Sequence, residues 1–187
     1  AASKKYEIQL ADFDGGNLRN AIAREAFAIF VLPENEKDAL LADFNKYNKS
    51  ILFEYTPSEP GIKLEAKMFT KPDFTVNSKA QKKLLNALYA CPHGVLEMSS
   101  RMPGMVETST NLASVKFTKN NKIIVTTSQR SEIESRKYWA AEMVQSVFEL
   151  AGAKVIHTDG YPGWTPNPDS EVLKIAVNSY KSLFKVD

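Results

Sequence analysis

The side chains best placed to do chemistry form a polar row, Glu107-Thr108-Ser109-Thr110-Asn111, inside the stretch "GMVETSTNLASVKF". A strand that only builds a core alternates polar with apolar residues, so a row polar on both faces needs a further reason. Downstream lies Arg130. A two-residue turn centred on Asn120-Asn121 suits the positive φ that such turns demand. That turn predicts Lys119 opposite Lys122, Phe117 opposite Ile124, Val115 opposite Thr126, Ala113 opposite Ser128 and Asn111 opposite Arg130. A guanidinium fork beside an amide suits a carboxylate ligand through charge-assisted, bidentate hydrogen bonds. The plain alternative is a solvated arginine at a strand end, and a one-residue slip of register would undo the pairing.

Other candidate groups are weaker. Cys91 and His93 are two apart, but Pro92 and Gly94 make this a helix-stopping turn, and two isolated donors fall short of a four-ligand metal site. His157 and Asp159 can share one face of a strand, yet no serine is placed beside them to form a triad. Neither a G-x-G-x-x-G run nor a phosphate loop occurs. The sequence alone therefore carries no self-sufficient catalytic apparatus.

These residues need a scaffold, and the chain is long enough to make one. Its 187 residues can form one large domain or two small ones. Hydrophobic residues make up 43% and charged residues 25%, ordinary for a globular protein. A formal net charge of +2, with both signs mixed throughout, argues against a nucleic-acid binder acting through a concentrated basic face. One cysteine excludes an internal disulfide and fits a reducing cytoplasm. No apolar run approaches a membrane span, and no signal peptide is evident. The opening at Ala1 without methionine fits a processed product or a piece of something longer.

Tyr6, Ile8 and Leu10 alternate as a strand, Gly15-Gly16 breaks it, and Ala26 to Leu32 reads as a buried strand. Pro33-Glu34-Asn35 starts a helix with Asn35 as its cap, and Leu40, Phe44, Tyr47, Ile51 and Tyr55 share one face. Ile62, Leu64, Ala66 and Met68 alternate as another strand. The pattern then repeats. Ser78 and Gln81 form a capping box before a helix with Leu84, Leu85, Leu88 and Tyr89. Strands are expected at Val95 to Ser99, Val106 to Thr118 and Lys122 to Arg130. A helix follows with Trp139, Met143, Val147 and Leu150 on one face, and Ala153 to Thr158 forms a last strand. After the linker Gly160 to Pro168, Asp169 or Ser170 caps a terminal helix carrying Val172, Leu173, Ala176 and Tyr180. The fold class is α+β. Two ferredoxin-like plait units share a mostly antiparallel sheet with helices on one face, and the first lacks its opening strand and helix. Residues 1–70 form the first unit, 71–159 the second, and 160–187 a linker and helix.

Several stretches go beyond architecture. "GGNLRNAIAREA", Gly15 to Ala26, resembles the G-G-x-x-x-N-x-I-P-x-x-A motif in the lid, or dimerisation, domain of the di-zinc exopeptidases. Together with "GMVETSTNLASV", "RSEIES" and "GYPGWTPNPDS", in that order along nearly the whole chain, it resembles the aminoacyl-histidine dipeptidase (peptidase D) branch of that family. The resemblance implies a lid that closes over a dipeptide, with a homodimer formed through it. A separate catalytic domain then carries two zinc ions and a glutamate base. No zinc-ligand motif of the family is present here, so the fragment itself is expected to hold no cofactor and to be inactive. Carried over by motif, Asn20 contacts the substrate or its developing oxyanion, Arg130 takes the C-terminal carboxylate, and Asn111 and Glu107 line the same wall. One departure is Ala23, where the motif has proline. The reading implies a cytoplasmic enzyme of Xaa-His dipeptides without nucleic-acid or membrane partners. A stand-alone plait-type amino-acid-binding module is the rival.

Overall fold

The computed structural model describes residues 2–185. Its elements run α1 (Ala2–Lys5), β1 (Gln9–Gly15), β2 (Ala26–Val31), a 3-10 turn (Glu34–Glu36), α2 (Lys37–Tyr55), α3 (Ser78–Ala90), β3 (Gly94–Met98), β4 (Val106–Phe117), β5 (Ile123–Ser131), α4 (Glu134–Leu150) and α5 (Glu171–Phe184). The architecture is α+β. Five strands pair in the order β2-β1-β4-β3, with β5 also on β4, and the ladders of β1–β2, β1–β4 and β3–β4 are antiparallel. The chain forms two compact units that exchange segments. Of the described residues, one comprises 2–16, Arg24–Leu85 and Val115–Ile124; the other comprises Asn17–Ala23, Asn86–Ser114 and 125–185.

In the first unit β1 pairs with β2, and its end meets the end of β4 at Asp14 opposite Lys116. Leu10 and Tyr6 are buried, and the Tyr6 hydroxyl donates to Asp43 Oδ2 of α2 at 2.7 Å. The helix expected from Pro33 begins with the 3-10 turn, and Asn35 caps nothing, because α2 proper starts only at Lys37. Of its expected face, Leu40, Phe44 and Ile51 are half-buried, whereas Tyr47 and Tyr55 stay exposed.

Asn77, one residue earlier than expected, caps α3: its Oδ1 accepts from Ala80 N at 2.9 Å. Gln81 makes no capping box because its amide is used elsewhere. It accepts from Leu10 N at 2.6 Å and donates to Ile8 O at 2.8 Å, satisfying two backbone groups of the β1 segment. No strand forms at Ile62 to Met68, and residues 62–77 contain neither helix nor strand. The alternation there has no ladder to join. Asn48 of α2 reaches Leu64 O at 3.3 Å, and near the end of the segment Val76 N bonds to Leu10 O at 2.7 Å and Thr75 Oγ1 to Gln9 Oε1 at 3.2 Å.

In the second unit Ala87 and Cys91, from the end of α3 and the turn after it, pack with Val144 and Phe148 of α4, flanked by Leu112 of β4 and Val125 of β5. Burying a side chain of Val or Phe size stabilises by about 1.5–3 kcal/mol. The inward face of α4 is Ala140, Val144 and Phe148, with Val147 at its edge, rather than one centred on Trp139 and Leu150. Trp139 lies under the Arg136 guanidinium, 5.5 Å from its ring centre, and Leu150 is exposed. Residues 153–158, expected as a strand, join no ladder. Ser170 caps α5 as expected, accepting from Leu173 N at 3.2 Å.

Candidate functional site

All four residues singled out from the sequence, Asn20, Glu107, Asn111 and Arg130, fall within the second unit. Asn20 lies in the loop Asn17–Ala23, where Ala21 N donates to Leu18 O and sets a turn with Arg19 and Asn20 at its corners. Gly16, which leads into the loop, has φ 63°, a conformation that glycine adopts without steric cost. Asn20 is exposed. The carbonyls on either side of it both point to one partner. Asn111 Nδ2 donates to Arg19 O at 3.1 Å and to Ala21 O at 2.8 Å. The Asn111 Oδ1 is buried and has no hydrogen-bond partner among the described residues.

The β4–β5 hairpin differs from the expected register. Asn121 N donates to Thr118 O, Thr118 N to Lys122 O, and Asn121 has φ 55°. This is a three-residue connection closed by a left-handed residue rather than a two-residue turn, so Thr118 and not Lys119 faces Lys122. At the other end Thr108 Oγ1 lies 2.9 Å from Ser131 Oγ, Gln129 donates to Thr110 Oγ1 at 3.1 Å, and Glu132 N donates to Glu107 O at 3.1 Å. These three contacts share one register, in which Arg130 faces Ser109 and Asn111 faces Ser128. The slip is one residue at the turn and two at the far end. An even slip preserves the face, so Asn111 and Arg130 share one side of the hairpin on a diagonal, roughly 7–8 Å apart by the usual spacing.

Arg130 is exposed, and its guanidinium has no hydrogen-bond or ion-pair partner among the described residues. The strand beneath it is held firmly. Thr108 is fully buried and donates to the Glu107 carboxylate at 3.2 Å, so Ser131 must donate to Thr108, while Ser131 Oγ accepts from Ile133 N at 3.0 Å. The result is a directed relay of hydroxyls ending on Glu107, itself buried. Ser131 and Thr108 were not singled out from the sequence. Their only signal there was membership of the polar row and of "RSEIES".

Beyond Arg130, the segment 160–165 is clamped over the β5–α4 junction. Lys137 Nζ donates to Tyr161 O at 2.9 Å, Gly163 N to Glu134 Oε2 at 3.1 Å, and Thr165 Oγ1 to Glu132 O at 3.1 Å. The hydrogen bond from Lys137, with that from Gly163 N–H, holds the Glu134 carboxyl below the usual carboxylate range.

The histidines serve the backbone and a side-chain amide. His93 Nδ1 accepts from Leu112 N at 3.0 Å, beyond the point where β3 stops pairing with β4, and His157 Nε2 lies 2.7 Å from Gln145 Oε1. Burial pushes the Cys91 thiol up to about 11, which keeps it protonated and a poor ligand or nucleophile at neutral pH. Among the described residues no group of three or more His, Cys, Asp or Glu could hold a metal ion, so the residues present do not fit a zinc site. No helix among them is long and apolar enough to cross a membrane.

The chain as a whole is matched in sequence and in fold by a segment of known dipeptidases. The chain is 34% identical over 182 residues to the cytosol non-specific dipeptidase of Escherichia coli (strain K12), covering 97% of this chain and 37% of that protein. It is likewise similar to the crystal structure of aminoacylhistidine dipeptidase from Vibrio alginolyticus, with a TM-score of 0.89 and 36% identity over 98% of this chain and 37% of the other. No family model matches. The chain's homologues are thus dipeptidases, and it spans little more than a third of their length. The resemblance read from the motifs holds over nearly the whole chain.

Proposed function

We propose that this chain is the lid of a zinc-dependent dipeptidase that cleaves dipeptides of the Xaa-His type, and that the lid grips substrate while a separate catalytic domain performs hydrolysis. When bound there, zinc would supply an activated water at neutral pH. Its ligands would belong to the remainder of the parent, since the described residues gather no group of three or more His, Cys, Asp or Glu that could hold a metal ion. Arg130 takes the dipeptide's terminal carboxylate, Asn20 contacts the peptide or its developing oxyanion, and Glu107 supports the strand from behind. The observation that carries the reading is the Arg130 guanidinium, exposed and unpaired among the described residues on a strand whose flanking side chains are fixed.

Supporting the wider assembly, β2 pairs with β1 alone among the described residues and leaves an apolar edge bearing the exposed Phe27 and Phe30. Such an edge favours pairing with a second copy, which fits a homodimer through the lid. Val172, Ile175, Tyr180 and Leu183 of α5 are exposed and suit a helix that returns into the catalytic domain. A cytoplasmic location accords with the name of the E. coli relative. A stand-alone amino-acid-binding module is less favoured, because both relatives are much longer enzymes matched over one segment.

Arg130→Ala in the parent protein tests the assignment. A charge-assisted hydrogen bond is worth about 1.5–3 kcal/mol. The expected result is a roughly 10- to 100-fold fall in kcat/KM on dipeptides with a free carboxylate and little change on C-terminal amides. Equal losses on both substrates would refute a carboxylate anchor.

A further inference from the structure

The family resemblance implies Asn20 as a substrate contact and Asn111 as part of the same wall, yet their geometry gives them different work. The Asn111 carboxamide has two N–H donors, and both are used on the carbonyls that flank Asn20. We infer that Asn111 is a positioning residue: its amide fixes the backbone on both sides of Asn20 and so sets where that side chain stands. The inference rests on the reading of Asn20 as a substrate contact.

Three features of the chain make such a brace necessary. Arg19 and Asn20 occupy an exposed turn whose closing hydrogen bond, Ala21 N to Leu18 O, is long at 3.3 Å. Leu18 and Ile22, the two large apolar residues of the loop, are 63% and 75% exposed, so no burial of theirs holds it down. The position after Ile22, where the related motif has proline, is Ala23, and an alanine leaves φ free. With its large apolar side chains exposed and Ala23 in place of proline, the tip of the loop at Arg19 and Asn20 takes its restraint from Asn111. Asn111 supplies the restraint from β4, a strand already locked on the opposite face through Thr108 and Thr110.

The same geometry separates asparagine from its isostere. Asn111→Asp keeps the volume but removes both donors and sets a carboxylate oxygen against two carbonyl oxygens, repulsion in place of attraction. Two neutral hydrogen bonds, netted against water, correspond to a change of about 10- to 30-fold in the population of the held loop. Asn111→Ala should have a similar effect, with Asp at least as severe.

The test uses the parent protein and two independent readouts: hydrogen exchange of the loop 17–23, and turnover of a free dipeptide. The variants are Asn111→Ala, Asn111→Asp, Asn20→Ala and the Asn20→Ala/Asn111→Ala pair. Expected are faster exchange in the loop for both Asn111 variants by about 10-fold or more, with protection of β4 unchanged. A fall in kcat/KM close to that of Asn20→Ala is also expected, and the pair should be little worse than Asn20→Ala alone. Loop exchange unchanged in Asn111→Ala would overturn the inference, whatever turnover does. Lost turnover with an intact loop, additive to Asn20→Ala, would overturn it too and make Asn111 a direct contact. Faster loop exchange with normal turnover in every variant, Asn20→Ala included, would keep the brace but refute the substrate role of Asn20, and with it the catalytic consequence inferred here.

Discussion

Replacing Gly163 by alanine tests the clamp that follows Arg130, because the added carbon has nowhere to go. A Cβ at this position would lie 2.6 Å from Ser131 O and 3.0 Å from both the carbonyl carbon and oxygen of Glu132. All three are backbone atoms of the β5–α4 junction, so no flexible side chain can give way. Gly163 is not among the positive-φ glycines, so the effect is steric and not conformational. Overpacking of this kind costs about 1–3 kcal/mol. The alternative is for the segment to lift away, losing the hydrogen bonds of Tyr161 O, Gly163 N and Thr165 Oγ1 at about 1 kcal/mol each. The two costs are of similar size, so the variant should populate the lifted form.

Chymotryptic nicking after Trp164, which is exposed and is followed by Thr165, reports that opening. A destabilisation of 1–3 kcal/mol should speed nicking by roughly 5- to 150-fold where opening is rapid relative to cleavage. Melting should fall by only about 2–4 °C per kcal/mol lost, since the core of Ala87, Cys91, Val144 and Phe148 is untouched. Gly160→Ala, whose Cβ would meet nothing within 4 Å, is the matched control. Acid should open the same clamp. The Glu134 carboxyl is lowered in the folded state, so its contribution is present above the ordinary carboxylate pKa and is lost as pH falls through the lowered value. Protection of the Gly163 amide, measured by hydrogen exchange against the intrinsic rate at each pH because the protease itself fails in acid, should therefore persist at pH 5 and be lost only in stronger acid. Equal nicking rates for Gly163→Ala and the unmodified chain would refute the close approach on which this reasoning stands.

Asn77→Ala should cost about 1 kcal/mol in a denaturant titration and Ser78→Ala only a few tenths, because Asn77 makes the capping bond. The opposite order would restore Ser78 as the cap. Cys91, with its thiol pushed to about 11, should react with a disulfide reagent at pH 8 roughly a hundredfold or more slower than a free thiol. Labelling at the free-thiol rate would show that the α3–α4 core opens readily.

How far the sequence revealed all this depended on whether a signal was local. Ser170 as a cap, the stop at Cys91-Pro92-His93-Gly94 and the extent of β2 were legible because side chains near the element decide them. Asn77 and Ser78 are both good caps, and only the competing use of Gln81 by β1, far away in sequence, decides between them. On α4 the expected face was about one residue out, since the large Trp139 would ordinarily mark the core; here an arginine covers it at the surface instead. The hairpin register failed for a related reason. Two asparagines in a row suit a two-residue turn, but only Asn121 takes the left-handed conformation, and one residue more enters the loop.

The polar row now has an explanation in two parts, one for each face of β4. Thr108 and Thr110 point away from Asn111 and bond to Ser131 and Gln129, the residues on either side of Arg130. Valines there would fill similar volume, and an apolar contact tolerates sliding in a way that a hydroxyl pair at 2.9 Å does not. Because a slip of two residues preserves every face, hydrophobic alternation alone cannot forbid it. Directional side-chain bonds can, since each buried hydroxyl left without its partner costs about 1–3 kcal/mol. A long charged side chain is a useful anchor only if its root does not move, and a displacement of one rung is far more than a ligand contact allows. Hydroxyls on the covered face hold the register, and the amide on the open face holds the loop. The same five residues therefore supply rigidity on one side and presentation on the other, which a strand of simple alternation could not do.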